Sequence, residues 1–250
     1  MENPATASSN STTPSDPSEN SDYQIHLRSL IEGLPTLDEA RFEAREMDMR
    51  NRRILGNLDL LWRSRGRRYV GCTLENFQAS LPAQQKAVAA VRDYLADIAA
   101  NVTAGRGVIF YGRAGTGKDH LLAALMRGAV EADLSVLWRG GMDLFAAFRD
   151  RIDANADERG FTAELAGAAV LAISDPLPPF GDLTPYQASK LFEVIDRRYS
   201  NCRPTWMTLN AGDGHEASKA LGTAIVDRLR EDALLVPCDW PSWRQRDHDH

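Results

Sequence analysis

The chain has 250 residues, 43% hydrophobic and 26% charged, with a formal net charge of −6. That is enough chain for one large domain or a domain with a small appendage, and the acidic balance argues against wholesale coating of nucleic acid. Cys72, Cys202 and Cys238 are too scattered for a disulfide framework or a zinc site, which suits a reduced, cytoplasmic protein. Apolar runs such as residues 163–173 are too short to cross a membrane, and the polar start carries no signal-peptide core.

Residues 1–22 are mostly Ser, Thr, Asn, Asp and Pro and are expected to form a disordered tail. Residues 23–34 suit a short helix ended by Gly33 and Pro35. Thr36-Leu-Asp-Glu39 reads as a capping box. The helix it opens should run towards Arg65, with a break allowed at Gly56. Ile54, Leu55, Leu58, Leu61 and Trp62 mark its apolar face. Arg50, Arg52, Arg53, Arg63, Arg65, Arg67 and Arg68 make this stretch basic. Either they form a solvated helix face with arginines at its C-terminal end, or they touch a nucleic-acid backbone. A stripe of this kind with Trp62 more often packs within its own chain than on a partner; yet an appendage outside the main domain must bury it on something, so residues 23–68 are read as a helical partner-binding segment.

Residues 69–250 are read as the main domain. A helix is expected over residues 83–100, then a loop. The apolar run Val108–Tyr111 enters Gly112-Arg113-Ala114-Gly115-Thr116-Gly117-Lys118, and a helical pattern follows. Further strands are expected over residues 135–139, 169–174, 204–209 and 233–236. Helices are expected over residues 141–153 and 185–199, with another ending at residues 226–231. Such alternation predicts an α/β fold: a five-stranded parallel sheet between helical layers.

Strand, glycine-rich loop and helix form the context in which the spacing of a P-loop carries meaning. Glycines let successive backbone N–H groups converge on phosphate oxygens, and the helix start adds its positive dipole end. The loop residues 112–118, with Asp119 and His120, are therefore the candidate ATP-binding set, Lys118 reaching the β- and γ-phosphates. The motif next requires Ser or Thr to hold Mg²⁺, and this chain has Asp119. Asp175, closing the third strand, is the candidate second metal ligand; its plain alternative is a turn residue stiffened by Pro176. Pro176 is expected to hold Asp175 extended. His248 and His250 read as solvated tail rather than metal ligands.

In this order the segments resemble the AAA+ helicase loaders of the DnaC type and the IstB transposition ATPases. The resemblance covers about residues 69–246. Gly-Thr-Gly-Lys118-Asp119-His120-Leu is similar to the loaders' P-loop, and residues 191–199 resemble the helix after their second metal-ligand strand. Pro204-Thr-Trp-Met-Thr-Leu-Asn210 resembles the strand ending in a sensor 1 Asn. Residues 221–229 resemble the arginine-finger segment, which puts that role on Arg228. Asp239-Trp-Pro-Ser-Trp-Arg244 resembles the loaders' ending, which makes Arg244 a sensor 2 candidate. Each role has a plain alternative: a turn former for Asn210, a surface pair with Asp227 or Glu231 for Arg228, a solvated tail arginine for Arg244.

A family Glu that polarises the attacking water is replaced here by Pro176. The resemblance therefore implies ATP and Mg²⁺ binding with slow hydrolysis, Lys118, Asp175, Asn210, Arg228 and Arg244 carrying the chemistry. The implied function is a replicative helicase loader acting on a hexameric helicase and single-stranded DNA, assembling with its own copies when ATP is bound. The alternatives are an IstB-like ATPase on duplex DNA with a transposase, and a non-hydrolysing AAA+ adaptor.

Overall fold

A computed structural model describes residues 36–178 and 182–244. The expectations for residues 1–34 and for His248 and His250 lie outside the described residues. The chain divides into two compact units, residues 1–49 and 50–250. The described part of the first unit is the exposed start of α1 (Leu37–Arg65). There the Thr36 N–H donates to Glu39 Oε2 at 2.7 Å, and the Glu39 N–H returns to Thr36 Oγ1 at 3.3 Å. That closes the capping box and holds the Glu39 carboxyl below its ordinary range.

The second unit holds the rest of α1, then α2 (Pro82–Ala96), α3 (Ile98–Thr103), β1 (Val108–Tyr111), α4 (Lys118–Glu131), β2 (Val136–Gly140) and α5 (Gly141–Asp153). It continues with α6 (Glu158–Gly167), β3 (Val170–Ser174), α7 (Pro185–Ser200), β4 (Thr205–Leu209), α8 (Gly214–Leu221), α9 (Thr223–Arg230) and β5 (Leu234–Pro237). Three elements differ from expectation. Helix α1 runs unbroken through Gly56, because helix formers on both sides absorb a glycine's cost of about 1 kcal/mol. The helix expected over residues 83–100 breaks at Asp97 into α2 and α3. Helix α6 was not expected; Asp157 caps it by accepting from the Gly160 N–H at 2.8 Å.

All five strands are parallel, in the order β2-β3-β4-β1-β5. Alternation along β1 sends Val108 and Phe110 into one core, with α2 and α4, and Ile109 into the other, with α5 to α9. The first core also takes up the α1 stripe: Leu61 is 4% exposed, and Ile54, Leu58 and Trp62 pack on it. Burying one such side chain stabilises by about 1.5–3 kcal/mol. That stripe is therefore occupied within the chain, whereas Leu55, assigned to it by spacing, faces solvent at 66% exposure. Arg53 forms a two-pronged pair with Asp133, and Arg65 lies over the Tyr69 and Trp138 rings, so part of the basic cluster is also used internally.

The second core is pinned by Arg198 on α7, which is fully buried and, among the described residues, has no carboxylate ion-pair partner. Its guanidinium donates to the carbonyls of Leu165, Ala168 and Pro204 and to Thr205 Oγ1. Two of these lie at or just after the C-terminal end of α6, where the helix dipole favours a cation. Burial still pulls its pKa down to about 9. Among the described residues no helix is long and apolar enough to cross a membrane.

Register decides where the site lies. Tyr111 pairs with Leu209, and Ser174 pairs with Thr208. The residues that follow, Gly112, Asp175 and Asn210, therefore leave the carboxyl edge of the sheet side by side.

Candidate functional site

The loop after β1 bends back through positive φ at Gly115 (82°) and Gly117 (89°) before α4 begins. At both positions the positive φ favours glycine, and a Cβ would also crowd a neighbouring side chain. A Cβ on Gly115 would come within 2.0 Å of Ser242 Oγ, and one on Gly117 within 2.8 Å of the Phe77 ring. The C-terminal segment holds this loop directly: the Trp240 indole N–H donates to the Thr116 carbonyl at 2.8 Å, and the Trp243 N–H to the Gly115 carbonyl at 2.9 Å.

Lys118 is 6% exposed, and its ammonium turns back into the loop. Nζ donates to the carbonyls of Gly112 (2.8 Å) and Arg113 (2.7 Å) and to Asn210 Oδ1 (2.8 Å). All three N–H bonds are used. Burial lowers the Lys118 pKa, and the charge of Arg244 adds to that, while Asp175 and Asp119 oppose it. The Asn210 amide N–H in turn donates to Asp175 Oδ2. Lys118, Asn210 and Asp175 thus form one chain of hydrogen bonds across the ends of β1, β4 and β3.

Asp175 is not extended, contrary to the expectation drawn from Pro176. Its φ is +49°, a left-handed conformation that Asp tolerates better than most side chains. Its N–H is held by the Thr208 carbonyl at 3.0 Å and by Thr208 Oγ1 at 3.2 Å. Burial raises its pKa, the nearby Asp119 carboxylate raises it further, and Lys118 and Asn210 pull it back. Among the described residues its buried Oδ1 has no hydrogen-bond partner.

Asp119, in the first turn of α4, accepts from Thr208 Oγ1 on Oδ1 at 2.8 Å and from the Tyr69 hydroxyl on Oδ2 at 3.3 Å. Each carboxylate oxygen has two lone-pair directions, so both retain capacity for a cation. The orphaned Asp175 oxygen and this carboxylate, whose charge is felt at Asp175, fit a hard divalent ion. Among the described residues no group of three or more His, Cys, Asp or Glu gathers as a metal cluster. Phosphate oxygens and water would therefore have to complete the shell of such an ion.

A cavity of about 500 Å³ opens over the loop. Residues 114–120, Asp175, Asn210 and Arg244 line it, with Arg68, Tyr69, Phe77, Trp240 and Trp243. Gly112 and Arg113 contribute the carbonyls that hold Lys118. His120 borders the cavity, but its Nε2 pairs with the Thr73 carbonyl at 2.8 Å and its ring meets the edge of Phe77. Arg228 stands apart from this cavity. On α9 its Nε donates to Asp196 Oδ1 at 2.7 Å, not to Asp227 or Glu231, and its guanidinium lies 4.7 Å from the Phe192 ring centroid.

Sequence reading passed over Tyr69, Phe77 and Thr208 as site residues. Thr208 left one trace, a polar residue inside the apolar strand Thr-Trp-Met-Thr208-Leu. Pro176 stands beside Asp175, and Asp182 and Glu216 share a second hollow with Asp175 and Asn210. Glu216 already accepts from the Gly212 N–H at 2.6 Å.

The family model for IstB-like ATP binding proteins matches residues 44–250. The replicative helicase loader DnaC of Escherichia coli (strain K12) is 30% identical over 182 residues, 71% of each chain. Among solved structures, the DnaC helicase loader superposes with a TM-score of 0.62 at 21% identity, covering 69% of this chain and 99% of that one. DnaI superposes at 0.57 and 19% identity, covering 70% of this chain and 92% of the other. At these identities the two superpositions speak for the fold.

Proposed function

The chain belongs to the family of IstB-like ATP binding proteins and has an AAA+ fold, and we propose that it is a helicase loader of DNA replication that uses Mg²⁺-ATP as a switch. The single observation that carries the reading is the chain Lys118–Asn210–Asp175 at the floor of the loop cavity. The start of α4 supplies a cation, the end of β4 a neutral amide and the end of β3 an unsatisfied carboxylate to one place. Such a set suits a polyphosphate with its metal.

In this reading the N–H groups of residues 115–118 and the Lys118 ammonium hold the phosphates, at the start of α4. Asp119 and Asp175 hold Mg²⁺, which when bound neutralises phosphate charge and orients the γ-phosphoryl group. Lys118 exchanges its loop carbonyls for phosphate oxygens, and Asn210 keeps its link to Asp175. Arg244, already at the cavity wall, serves as the sensor of its own nucleotide. Arg228, outside the cavity, acts on the nucleotide of a neighbouring copy once it leaves Asp196.

Pro176 supplies no carboxylate for the attacking water, an aid typically worth ~10²- to 10⁴-fold. Hydrolysis is accordingly slow, and bound ATP controls assembly and the grip on single-stranded DNA. The similarity to DnaC points to a hexameric replicative helicase as partner. A pull-down with the cognate helicase, with and without ATP, tests this: ATP-sensitive association is expected, and no association in either condition overturns it. The IstB-type family match favours one second reading, an ATPase that assembles on duplex DNA with a transposase. Preference for duplex over single-stranded DNA in the same assay would select it.

A further inference from the structure

Thr208 is fully buried in β4, yet its one hydroxyl serves both candidate metal-binding aspartates. Oγ1 accepts from the Asp175 N–H at 3.2 Å and donates to Asp119 Oδ1 at 2.8 Å. The direction of the proton follows from the partners. The Asp175 N–H can only donate, and an ionised carboxylate can only accept, so the hydroxyl hydrogen points at Asp119. Tyr69 holds the other Asp119 oxygen from the cavity side at 3.3 Å. The carboxylate is thus gripped at both ends by donors from β4 and from the turn after α1.

We propose that Thr208 is the positioning residue that lets Asp119 replace the usual hydroxyl of the P-loop as a divalent-cation ligand, with Tyr69 as its second clamp. This rests on the nucleotide reading above. A carboxylate at this position carries a charge that a hydroxyl lacks. Left to rotate, it could approach the phosphates and repel them, or fold onto Lys118. Donors on both oxygens fix its plane and leave the remaining lone pairs for the metal. They also offset part of its charge without cancelling it. Outer-shell donors of this kind are typically worth 10- to 100-fold in metal affinity.

The geometry separates this role from mere support of the strand. In Thr208→Val the hydroxyl is lost in nearly the same volume. The Asp175 N–H keeps its second acceptor, the carbonyl of residue 208 at 3.0 Å. The loss therefore falls on Asp119. The test is binding of a fluorescent ATP analogue to the full chain, in Mg²⁺ and in EDTA, for wild type, Thr208→Val, Thr208→Ser and Tyr69→Phe. The ratio of the two affinities is the readout, because a general folding defect lowers both. Thr208→Val should reduce the Mg²⁺-dependent gain about tenfold or more. Thr208→Ser should restore it, and Tyr69→Phe should show a smaller loss in the same sense. Equal losses with and without metal in Thr208→Val, or an unchanged ratio, overturn the proposal while the nucleotide reading stands. If Thr208→Val does not fold, an unchanged ratio in Tyr69→Phe overturns it. Failure of the wild-type chain to bind the analogue in either condition overturns the nucleotide reading and this inference with it.

Discussion

Lys118 and Asn210, 92 positions apart, are joined by a 2.8 Å hydrogen bond from the ammonium to the amide oxygen. The bond ties the start of α4 to the end of β4, while those to the Gly112 and Arg113 carbonyls close the loop on itself. A phosphate entering the cavity competes with Asn210 and with two loop carbonyls for the same three N–H bonds. Charge favours the phosphate, since it offers the ammonium an ionised acceptor where Asn210 and the carbonyls are neutral ones.

Lys118→Ala should therefore weaken ATP binding by about 10- to 100-fold or more, from the loss of a charge-assisted contact worth ~1.5–3 kcal/mol. Isothermal calorimetry with Mg²⁺-ATP measures it. Affinity equal to that of the wild-type chain would remove Lys118 from the phosphate site.

Asp175→Asn should raise the melting temperature near neutral pH while weakening Mg²⁺-dependent nucleotide binding. The sign follows from linkage. Burial lifts the folded-state pKa of Asp175 above its ordinary 3.8, so in that window the folded chain holds a proton that the unfolded chain has released. Stability from this group falls as pH rises through the window and stays lower above it. Asn removes the charge and can still accept from Asn210. Thermal melts from about pH 4 to 8 check it, and the gain should shrink towards the acid end.

Much of this site could be read from order alone, and the reason is physical. β1, β3 and β4 are each a short apolar run with a candidate site residue just past the carboxyl end, so a linear scan meets Gly112, Asp175 and Asn210 at strand ends. Parallel register then brings them together without further information. The clamps on Asp119 were not legible, because Tyr69 lies 50 positions away and Thr208 89. Nor was the positive φ of Asp175, since Pro176 biases its neighbour towards extended backbone and the grip of Thr208 on the Asp175 N–H is a tertiary fact. Helix α6 was hidden by its own Gly160 and Gly167, and the capping Asp157 was its one local sign.

Arg198→Met should destabilise the fold by about 3 kcal/mol or more, among the larger effects of a single substitution. The apolar side chain fills part of the space, but the carbonyls of Leu165, Ala168 and Pro204 each lose a buried or part-buried donor. Urea unfolding monitored by tryptophan fluorescence measures the loss, and Trp206 on β4 reports from the adjacent strand.

Pro176→Glu should raise ATP turnover, by up to ~10²-fold if the introduced carboxylate reaches the attacking water. Steady-state phosphate release, with nucleotide affinity measured alongside, provides the check. An unchanged rate at unchanged affinity would place the limit elsewhere.

Arg228→Ala should leave ATP binding to the isolated chain within about twofold and impair ATP-dependent assembly or turnover. The arginine is held by Asp196 on the surface of α7, outside the cavity that lines the loop. Loss of this partly exposed pair costs only ~0–1 kcal/mol of stability, so the fold should survive. Asp196→Ala sharpens the test, because it frees the guanidinium without removing it. If Arg228 acts on a neighbour's nucleotide, Asp196→Ala should preserve or increase assembly in ATP while Arg228→Ala abolishes it. Sedimentation velocity with and without ATP distinguishes the two. Equal loss in both variants would make the pair a structural bridge, and weakened ATP binding by the monomer in Arg228→Ala would place the arginine on its own nucleotide.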